Sequence, residues 1–451
     1  MPDPTSVLRL SLDEALFPPH LELLPSVDER YELELAFYES RLLSDPELLR
    51  NGAYFARVGD TLTRHFLMCK GEPVRLPQHS SSRLRSFFQT KQFKTGYGTH
   101  GLFPYRGKFH PQMIKGLINV MGLKPGETVL DPMMGSGTVL IEAALMGINS
   151  VGLDASPFCQ VMVQAKLDGL TMPVEPLHDA VKHSEALFRY FSELAASRAR
   201  PTRRAKKKPA DPFTLDLFAP APIPRGRRKL PIEGLTNETV FNFLRLVFLD
   251  SAGYSERSQR RTPLEQFKAI LERYVFVVDK IQNVLRGAES ELGGAKSLVG
   301  DARELPLDDA SVDGIVFSPP YSFAIDYLEN DAFHLDFLEA DMEQLRERMV
   351  GLRGGKLVEK YELYKQDMEQ VLSECARVLR PGRLCVVVVG TNNNQIANIL
   401  DVEADEVQGI DEILADLASR HGLRLVRKIG RQITGMANTM RTEFIVMLQR
   451  G

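Results

Sequence analysis

The feature that most constrains the fold is a short apolar strand followed by a glycine turn and a helix, over residues 128–147. The strand is Thr128-Val129-Leu130, and Asp131 follows it directly. Gly135 and Gly137 form the turn, where glycine lets the backbone pass close to a ligand. The helix that follows presents free N–H groups at its start. This strand, turn and helix predict one unit of an α/β sheet with a ligand at its edge.

The same alternation of strands and helices recurs from about residue 100 to the end of the chain. A long helical pattern, for example, stops at Arg380-Pro381-Gly382 and leads into an apolar strand. Strands that alternate with helices indicate a parallel, doubly wound sheet. We therefore predict a Rossmann-like sheet of seven strands whose last two form an antiparallel hairpin. The predicted strands are 128–130, 150–153, 297–299, 312–317, 384–389, 423–429 and 443–448.

Pattern and composition divide the chain into four segments. Residues 1–95 carry apolar side chains at near-helical spacing, also over 48–67, and predict a helical accessory segment. Residues 96–174 are the first part of the sheet domain and form its cofactor half. Residues 296–451 are the second part and form its catalytic half. Residues 175–295 interrupt the domain as a large insert.

The middle of the insert, residues 198–229, differs in composition from the rest of the chain. It holds 11 Lys or Arg against two acids, together with six prolines. Such a stretch cannot form a core, so we predict a linker between flanking helices. The composition is compatible with two alternatives to the same degree. The cations could bind phosphates of a nucleic acid, or the segment could be a solvated linker without a ligand.

Overall composition excludes several classes of protein. The net charge is −3, and the four cysteines form no C-x-x-C pair. The chain is therefore neither a uniformly basic nucleic-acid coat nor a disulfide scaffold, and no spacing predicts a metal site. The N-terminus lacks the apolar core of a signal peptide, and no stretch approaches the roughly 20 apolar residues of a membrane span. We expect a cytoplasmic protein that makes no membrane contact, and the sequence predicts no oligomeric state.

Acidic residues end three of the predicted strands. Asp131 precedes the glycine turn, Asp154 ends the second strand and Asp301 the third. The turn is not a dinucleotide fingerprint, since Leu140 stands at its third glycine, and it lacks the lysine of a P-loop. A carboxylate here would repel a pyrophosphate and suits a cationic ligand. Because Asp154 can accept two ribose hydroxyls and Asp301 an adenine amine, the set predicts S-adenosylmethionine as the cofactor.

A proline-rich loop, Ser318-Pro319-Pro320-Tyr321, follows the fourth predicted strand. This position is near the switch point of the sheet, where ligands bind. The two prolines stiffen the turn and leave carbonyls and the Ser318 hydroxyl free to accept hydrogen bonds. Tyr321 offers a flat face for a planar base. Such a loop can hold an exocyclic amine whose nitrogen attacks a methyl group in line.

Residues 99–165 and 297–340 resemble the amino-group DNA methyltransferases, especially their cytosine-N4-specific branch. The matching stretches are Thr99-His100-Gly101-Leu102-Phe103-Pro104-Tyr105, Lys108-Phe109-His110-Pro111, Asp131-Pro132, Gly135-Ser136-Gly137-Thr138, Asp154, Asp301, Ser318-Pro319-Pro320-Tyr321 and Ala324-Ile325-Asp326-Tyr327. Serine at the start of the tetrapeptide is commoner in the cytosine-N4 branch, whereas aspartate or asparagine prevails in adenine-N6 enzymes.

The resemblance implies a Rossmann-like methyltransferase sheet and methylation of an exocyclic amine in DNA, first cytosine N4, as in the enzymes of restriction–modification systems. The cofactor-binding residues that it implies are Asp131, Pro132, Gly135, Ser136, Gly137, Thr138, Asp154, Asp301, His110 and Pro111, and the catalytic residues are Ser318, Pro319, Pro320 and Tyr321.

Other substrates remain open at this point. RNA guanine-N2 and DNA adenine-N6 methyltransferases use the same catalytic logic, and a catalytically silent nucleic-acid-binding relative could keep the fold. The insert 175–295 lies between the second and third strands. The family usually places its target-recognition domain between the adenine-contacting and catalytic strands. The insert lies before the adenine-contacting strand, so its position does not predict a role in target recognition.

Overall fold

The computed structural model describes residues 15–70, 96–105, 107–198, 230–257, 261–287, 291–320, 327–432 and 442–451. Tyr321, Ala324-Ile325-Asp326 and most of the predicted basic linker lie outside these ranges. No helix within the described ranges is both long and apolar enough to cross a membrane.

The described residues form helices and strands in the following order along the chain. The strands are β1 (Leu21–Leu23), β2 (Phe55–Val58), β3 (Thr61–Leu62), β4 (Thr128–Asp131), β5 (Asn149–Asp154), β6 (Ala295–Val299), β7 (Val312–Phe317), β8 (Leu379–Thr391), β9 (Leu423–Gln432) and β10 (Thr442–Arg450). The α-helices are α1 (Arg30–Leu42), α2 (Asp45–Asn51), α3 (Arg64–Lys70), α4 (Pro111–Val120), α5 (Thr138–Met146), α6 (Pro157–Asp168), α7 (Glu175–Lys182), α8 (Ser184–Arg198), α9 (Glu238–Arg257), α10 (Pro263–Gly287), α11 (Tyr327–Phe337), α12 (Met342–Arg348), α13 (Leu357–Val378), α14 (Asn393–Leu400) and α15 (Ile410–Arg420).

Seven strands form one sheet in the order β6-β5-β4-β7-β8-β10-β9. The strands β6, β5, β4, β7 and β8 pair in parallel, and β10 is antiparallel to both of its neighbours. Every residue of β7 is buried, as expected for a central parallel strand that helices cover on both faces. The predicted doubly wound sheet of seven strands with an antiparallel final hairpin is confirmed.

The N-terminal segment contains helices but is not wholly helical. Strands β1, β2 and β3 form a separate antiparallel sheet of three strands. The helical prediction for residues 48–67 is therefore wrong for β2 and β3. The cause is a short apolar run around Tyr54 and Phe55, both fully buried, between Gly52 and Gly59. Hydrophobic periodicity alone cannot separate so short a buried strand from a buried helix.

The insert forms helices on either side of its basic run, as predicted. Helices α7, α8, α9 and α10 share one apolar cluster with Phe103 and with Phe158 of α6. Leu335 belongs to the same cluster. It lies on α11, the first described helix after the predicted catalytic loop, residues 318–321. The insert therefore packs against both the cofactor half of the sheet and the segment that follows the catalytic loop.

Candidate active site

The three predicted acids lie along one edge of the large sheet. Asp131 pairs with Gly152 in β5, and Asp154 stands two residues further along that strand. Asp154 in turn pairs with Val299 of β6, and Asp301 follows two residues later. The carboxyl ends of parallel strands meet at the same edge of a sheet, which is where doubly wound folds bind ligands. The structure therefore places the three carboxylates along one edge of the sheet, and their contacts with a cofactor stay a prediction.

The glycine turn has the conformation that its two glycines allow. Gly135 and Gly137 have φ angles of +46° and +74°, the left-handed region that other residues adopt at a cost. A Cβ atom at Gly137 would lie 2.6 Å from Val163 of α6, so close helix packing also requires glycine there. A Cβ at Gly135 would meet the Tyr105 ring at 3.4 Å. Tyr105 belongs to residues 97–111, the stretch ahead of the cofactor loop, which is the loop 131–138 that contains the glycine turn. Tyr105 therefore borders the turn.

Asp154 fixes the position of this turn. Its Oδ2 accepts the backbone N–H of Gly135 at 2.9 Å, and its Oδ1 accepts that of Ser156 at 2.8 Å. Burial raises the pKa of Asp154, while these two hydrogen bonds oppose the rise. The Cys159 thiol is a third hydrogen-bond partner of this carboxylate, and the lone pair that remains can accept a ribose hydroxyl. That ribose contact stays a prediction.

The chemistry of Asp131 fits a cationic ligand. Its side chain is 1% exposed and accepts the backbone N–H of Met133 at 3.1 Å. Burial raises the pKa of Asp131 well above its ordinary value, because a charged carboxylate is costly without solvent. A positive charge beside the carboxylate would offset that cost. The sulfonium of S-adenosylmethionine carries such a charge, so the residues of this edge fit the predicted cofactor.

The predicted residues ahead of the cofactor loop lie at the start of α4. His110 is the residue before the helix and Pro111 is its first residue. Among the described residues the Nδ1 atom of His110 is buried without a hydrogen-bond partner, and burial lowers its pKa to about 4. Helix α4 packs against α5, the helix that the glycine turn begins. His110 therefore offers a neutral imidazole nitrogen at the start of a helix that packs against α5, and its contact with the cofactor stays a prediction.

The described part of the catalytic loop lies next to the acidic edge, because β7 is the neighbour of β4. The Ser318 hydroxyl donates a hydrogen bond to the carbonyl of Pro319 over 3.4 Å. Pro319 is buried and Pro320 is half-buried. Two oxygens able to accept hydrogen bonds thus stand side by side at the end of the strand. The stacking role of Tyr321 falls outside the described residues and stays a prediction.

Comparison with known proteins agrees with this geometry. A family model described as RMKL-like, methyltransferase domain, matches residues 102–197, which include the glycine turn and Asp154. Residues 102–197 are therefore similar to a methyltransferase domain. The sheet and its acidic edge are the ones described above, and the residues of this edge fit S-adenosylmethionine as the cofactor.

Individual relatives match shorter stretches of this chain. The type II methyltransferase M.MjaII of Methanocaldococcus jannaschii is 44% identical over 68 residues, 15% of this chain and 13% of the relative. M.BsoBI, a type II methyltransferase of Geobacillus stearothermophilus, is 35% identical over 83 residues, 18% and 16% of the two chains. A tRNA (guanine(10)-N2)-dimethyltransferase of Methanothermobacter thermautotrophicus is 44% identical over 52 residues, 12% and 16%. The chain thus spans less than a fifth of each relative's length.

A solved structure described as an S-adenosylmethionine-dependent methyltransferase from Methanosarcina mazei is also similar to this chain. The two share 10% sequence identity, with 73% of this chain and 94% of the other covered, at a TM-score of 0.31.

A buried lysine supports the glycine turn, and the sequence patterns did not single it out. The Lys166 amino group, on α6, donates to the carbonyl of Ser136 at 3.1 Å. The Ser136 and Thr138 hydroxyls lie 3.3 Å apart within the turn. Lys166 is 1% exposed, and burial lowers its pKa to about 7. The available signal was its place on the apolar face of α6, four residues after Met162.

The stretch ahead of the cofactor loop is anchored at its start to α5. Glu142 of α5 accepts a hydrogen bond from the Tyr97 hydroxyl at 2.7 Å, and its same oxygen lies 2.6 Å from Nε2 of His100. All three side chains are buried. This contact ties residues 97–100 to the helix that starts at the glycine turn.

The insert holds the middle of the same stretch. Phe103 has a φ of +57°, a conformation that costs a residue other than glycine about 1–3 kcal/mol. Its backbone N–H donates to the Tyr274 hydroxyl of α10 at 2.8 Å. Tyr274 in turn donates to Asp250 of α9 at 2.9 Å, and Arg273 donates to the same carboxylate at 2.8 Å. The insert therefore helps to keep the strained backbone that carries Tyr105 to the glycine turn.

We expect Tyr274→Phe to weaken binding of S-adenosylhomocysteine about fivefold or more, because the buried N–H of Phe103 would lose its acceptor. Isothermal titration calorimetry measures the effect. Tyr38→Phe removes a hydrogen bond of similar length, to Glu34 within α1, and should leave the affinity unchanged. Equal affinities for the wild type and Tyr274→Phe would show that the insert does not act on the cofactor site.

Proposed function

We propose that the protein methylates an exocyclic amino group of a base in nucleic acid, with N4 of cytosine in DNA as its first target. The observation that carries the proposal is the pair of acceptor oxygens, on Ser318 and Pro319, beside the acidic edge. An exocyclic amine has two hydrogens, and two adjacent acceptors are the groups that would hold them.

The residues of the loop act on the amine. When bound at the acidic edge, S-adenosylmethionine supplies a methyl group on a positively charged sulfur. The hydroxyl of Ser318 can rotate away from the Pro319 carbonyl, so that both oxygens accept hydrogens from the amine. Both acceptors draw the hydrogens out of the plane of the base and concentrate the lone pair on nitrogen. Their contact strengthens as the nitrogen becomes tetrahedral and positively charged, which is where it accelerates the reaction.

The base must leave the duplex to reach this loop. An amine within a base pair donates one hydrogen to the partner base, and its lone pair cannot align with the methyl donor, so extrusion of the nucleotide is required. Tyr321, which follows the two prolines, would stack on the extruded base. Stacking of a base on an aromatic side chain contributes about 1–3 kcal/mol.

Two observations favour DNA and cytosine. Two of the relatives that match the chain are described as type II methyltransferases. The tetrapeptide begins with Ser318, the residue commoner in the cytosine-N4 branch that the sequence resembles. In this proposal residues 96–174 and 296–451 form the catalytic domain, and the accessory segments 1–95 and 175–295 frame it.

Guanine N2 in RNA is the second candidate. A relative described as a tRNA guanine-N2 dimethyltransferase matches the chain at 44% identity, the same identity as M.MjaII. The acceptor pair serves either amine, so the loop does not separate the two substrates.

Mass spectrometry of nucleosides separates them. The protein is incubated with isotopically labelled S-adenosylmethionine and either unmethylated genomic DNA or unmodified tRNA transcripts. We expect labelled N4-methylcytosine in DNA. Labelled N6-methyladenine in DNA or N2-methylguanosine in RNA would replace the base or the polymer in the proposal. The absence of any labelled nucleoside, while S-adenosylhomocysteine still binds, would identify a catalytically silent relative.

A further inference from the structure

Asp301, the residue proposed to contact adenine, is held by an arginine two positions later in the chain. The backbone N–H and the Nε of Arg303 both donate to Oδ1 of Asp301 at 2.9 Å. The Nη2 of Arg303 donates to Oδ2 at 2.7 Å. This is a bidentate contact, in which the planar guanidinium fixes the plane of the carboxylate as well as its position.

Arg303 is itself fixed from the other side. Its Nη1 donates to Asp367 of α13 at 2.8 Å, and its Nη2 also donates to the carbonyl of Glu347 in α12 at 2.8 Å. Asp367 is 1% exposed on its side chain and also forms an ion pair with Arg353. The orientation of Asp301 is therefore set by two helices that lie after the catalytic loop in the chain.

The contacts leave one direction open on the Asp301 carboxylate. Each oxygen can accept two hydrogen bonds. Oδ1 has two donors at 2.9 Å. Oδ2 accepts from Nη2 at 2.7 Å, and the Nε that lies 3.2 Å from it shares its one hydrogen with Oδ1, so Oδ2 is the less occupied oxygen. The Asp301 side chain is 25% exposed, so a ligand can reach the carboxylate.

We propose that Arg303 is the positioning residue that gives the site its selectivity for adenine, by aiming the less occupied oxygen of Asp301, Oδ2, at the 6-amino group. The inference rests on the proposed cofactor contact of Asp301 and names a residue that acts through it. Without the guanidinium the carboxylate can rotate about its side-chain bonds. The amine of the cofactor then loses a fixed acceptor, and a base without that amine binds equally well.

The test compares two ligands by isothermal titration calorimetry. One is S-adenosylhomocysteine, and the other is its analogue with unsubstituted purine, which lacks the 6-amino group. A hydrogen bond to a charged group makes the wild type prefer the first ligand by about tenfold or more. Arg303→Met is expected to bring this ratio close to one. A merely structural role of Arg303 would lower both affinities together and preserve the ratio.

Arg353→Met is the matched control, because Arg353 binds the same Asp367 but is not part of the contact with Asp301. It should keep the wild-type ratio. If Arg303→Met fails to fold, Arg303→Lys gives the same test, since lysine keeps the charge but lacks the planar fork. A wild-type ratio in the folded Arg303 variant overturns the inference. A ratio of one in the wild type overturns both the inference and the adenine contact of Asp301, whereas labelled nucleosides report independently on methyl transfer.

Discussion

Ser318→Ala is expected to lower kcat about a hundredfold while leaving the affinity for S-adenosylhomocysteine unchanged. The hydroxyl of Ser318 is one of the two acceptors at the end of β7, beside the Pro319 carbonyl. Removing one polar group that stabilises developing charge typically costs 10²–10³ in kcat. The three carboxylates proposed to hold the cofactor stand on other strands, so cofactor binding should not change.

Single-turnover methylation of DNA and calorimetry with S-adenosylhomocysteine measure the two quantities separately. Ser311→Ala is the control, because Ser311 directly precedes β7 at its opposite end and its hydroxyl donates to the Asp308 carbonyl at 2.6 Å. That variant should keep both the rate and the affinity. A Ser318→Ala enzyme with wild-type turnover would remove Ser318 from the chemistry and leave the Pro319 carbonyl as the acceptor.

The large sheet could be predicted because local patterns and global packing agree there. Strand β7 and helix α5 have the predicted ends, since a buried apolar run and a glycine at each end of α5 leave little choice. The register of β4, β5 and β6 then follows from the parallel order. Residues separated by far more than a hundred positions, such as Asp131 and Ser318, reach one edge without any need to predict their contacts.

Contacts made by side chains from distant segments could not be predicted. The Phe103 backbone meets Tyr274, 171 positions later, and Arg303 reaches Asp367, 64 positions later. Neither pair belongs to a periodic pattern or to a motif. Hydrophobic periodicity predicted the helices of the insert, because it shows which face of a helix is apolar. It predicted no function for the insert, because it does not show which neighbour covers that face.

In the wild type we expect the free energy of unfolding to increase with pH between pH 7 and 9. Lys166→Met is expected to make the slope of this increase smaller by about 1 kcal/mol per pH unit. Burial lowers the pKa of Lys166 from 10.5 to about 7, and Lys108 adds to this effect. Between these two values the unfolded chain keeps a proton that the folded chain has released. Raising the pH therefore stabilises the folded state, at about 1.36 kcal/mol per proton and pH unit. Methionine removes this contribution.

Urea denaturation at pH 7, 8 and 9 measures the slope for the wild type and the variant. Two other lysines, the half-buried Lys108 and the buried Lys115, have a pKa lowered to about 8 by burial and contribute in the same direction. They are present in both proteins, so they largely cancel in the difference. Lys182→Met, at an exposed position on α7, is the control and should keep the wild-type slope. Equal slopes for the wild type and Lys166→Met would mean that Lys166 stays charged beneath the glycine turn, with a buried anion to compensate it.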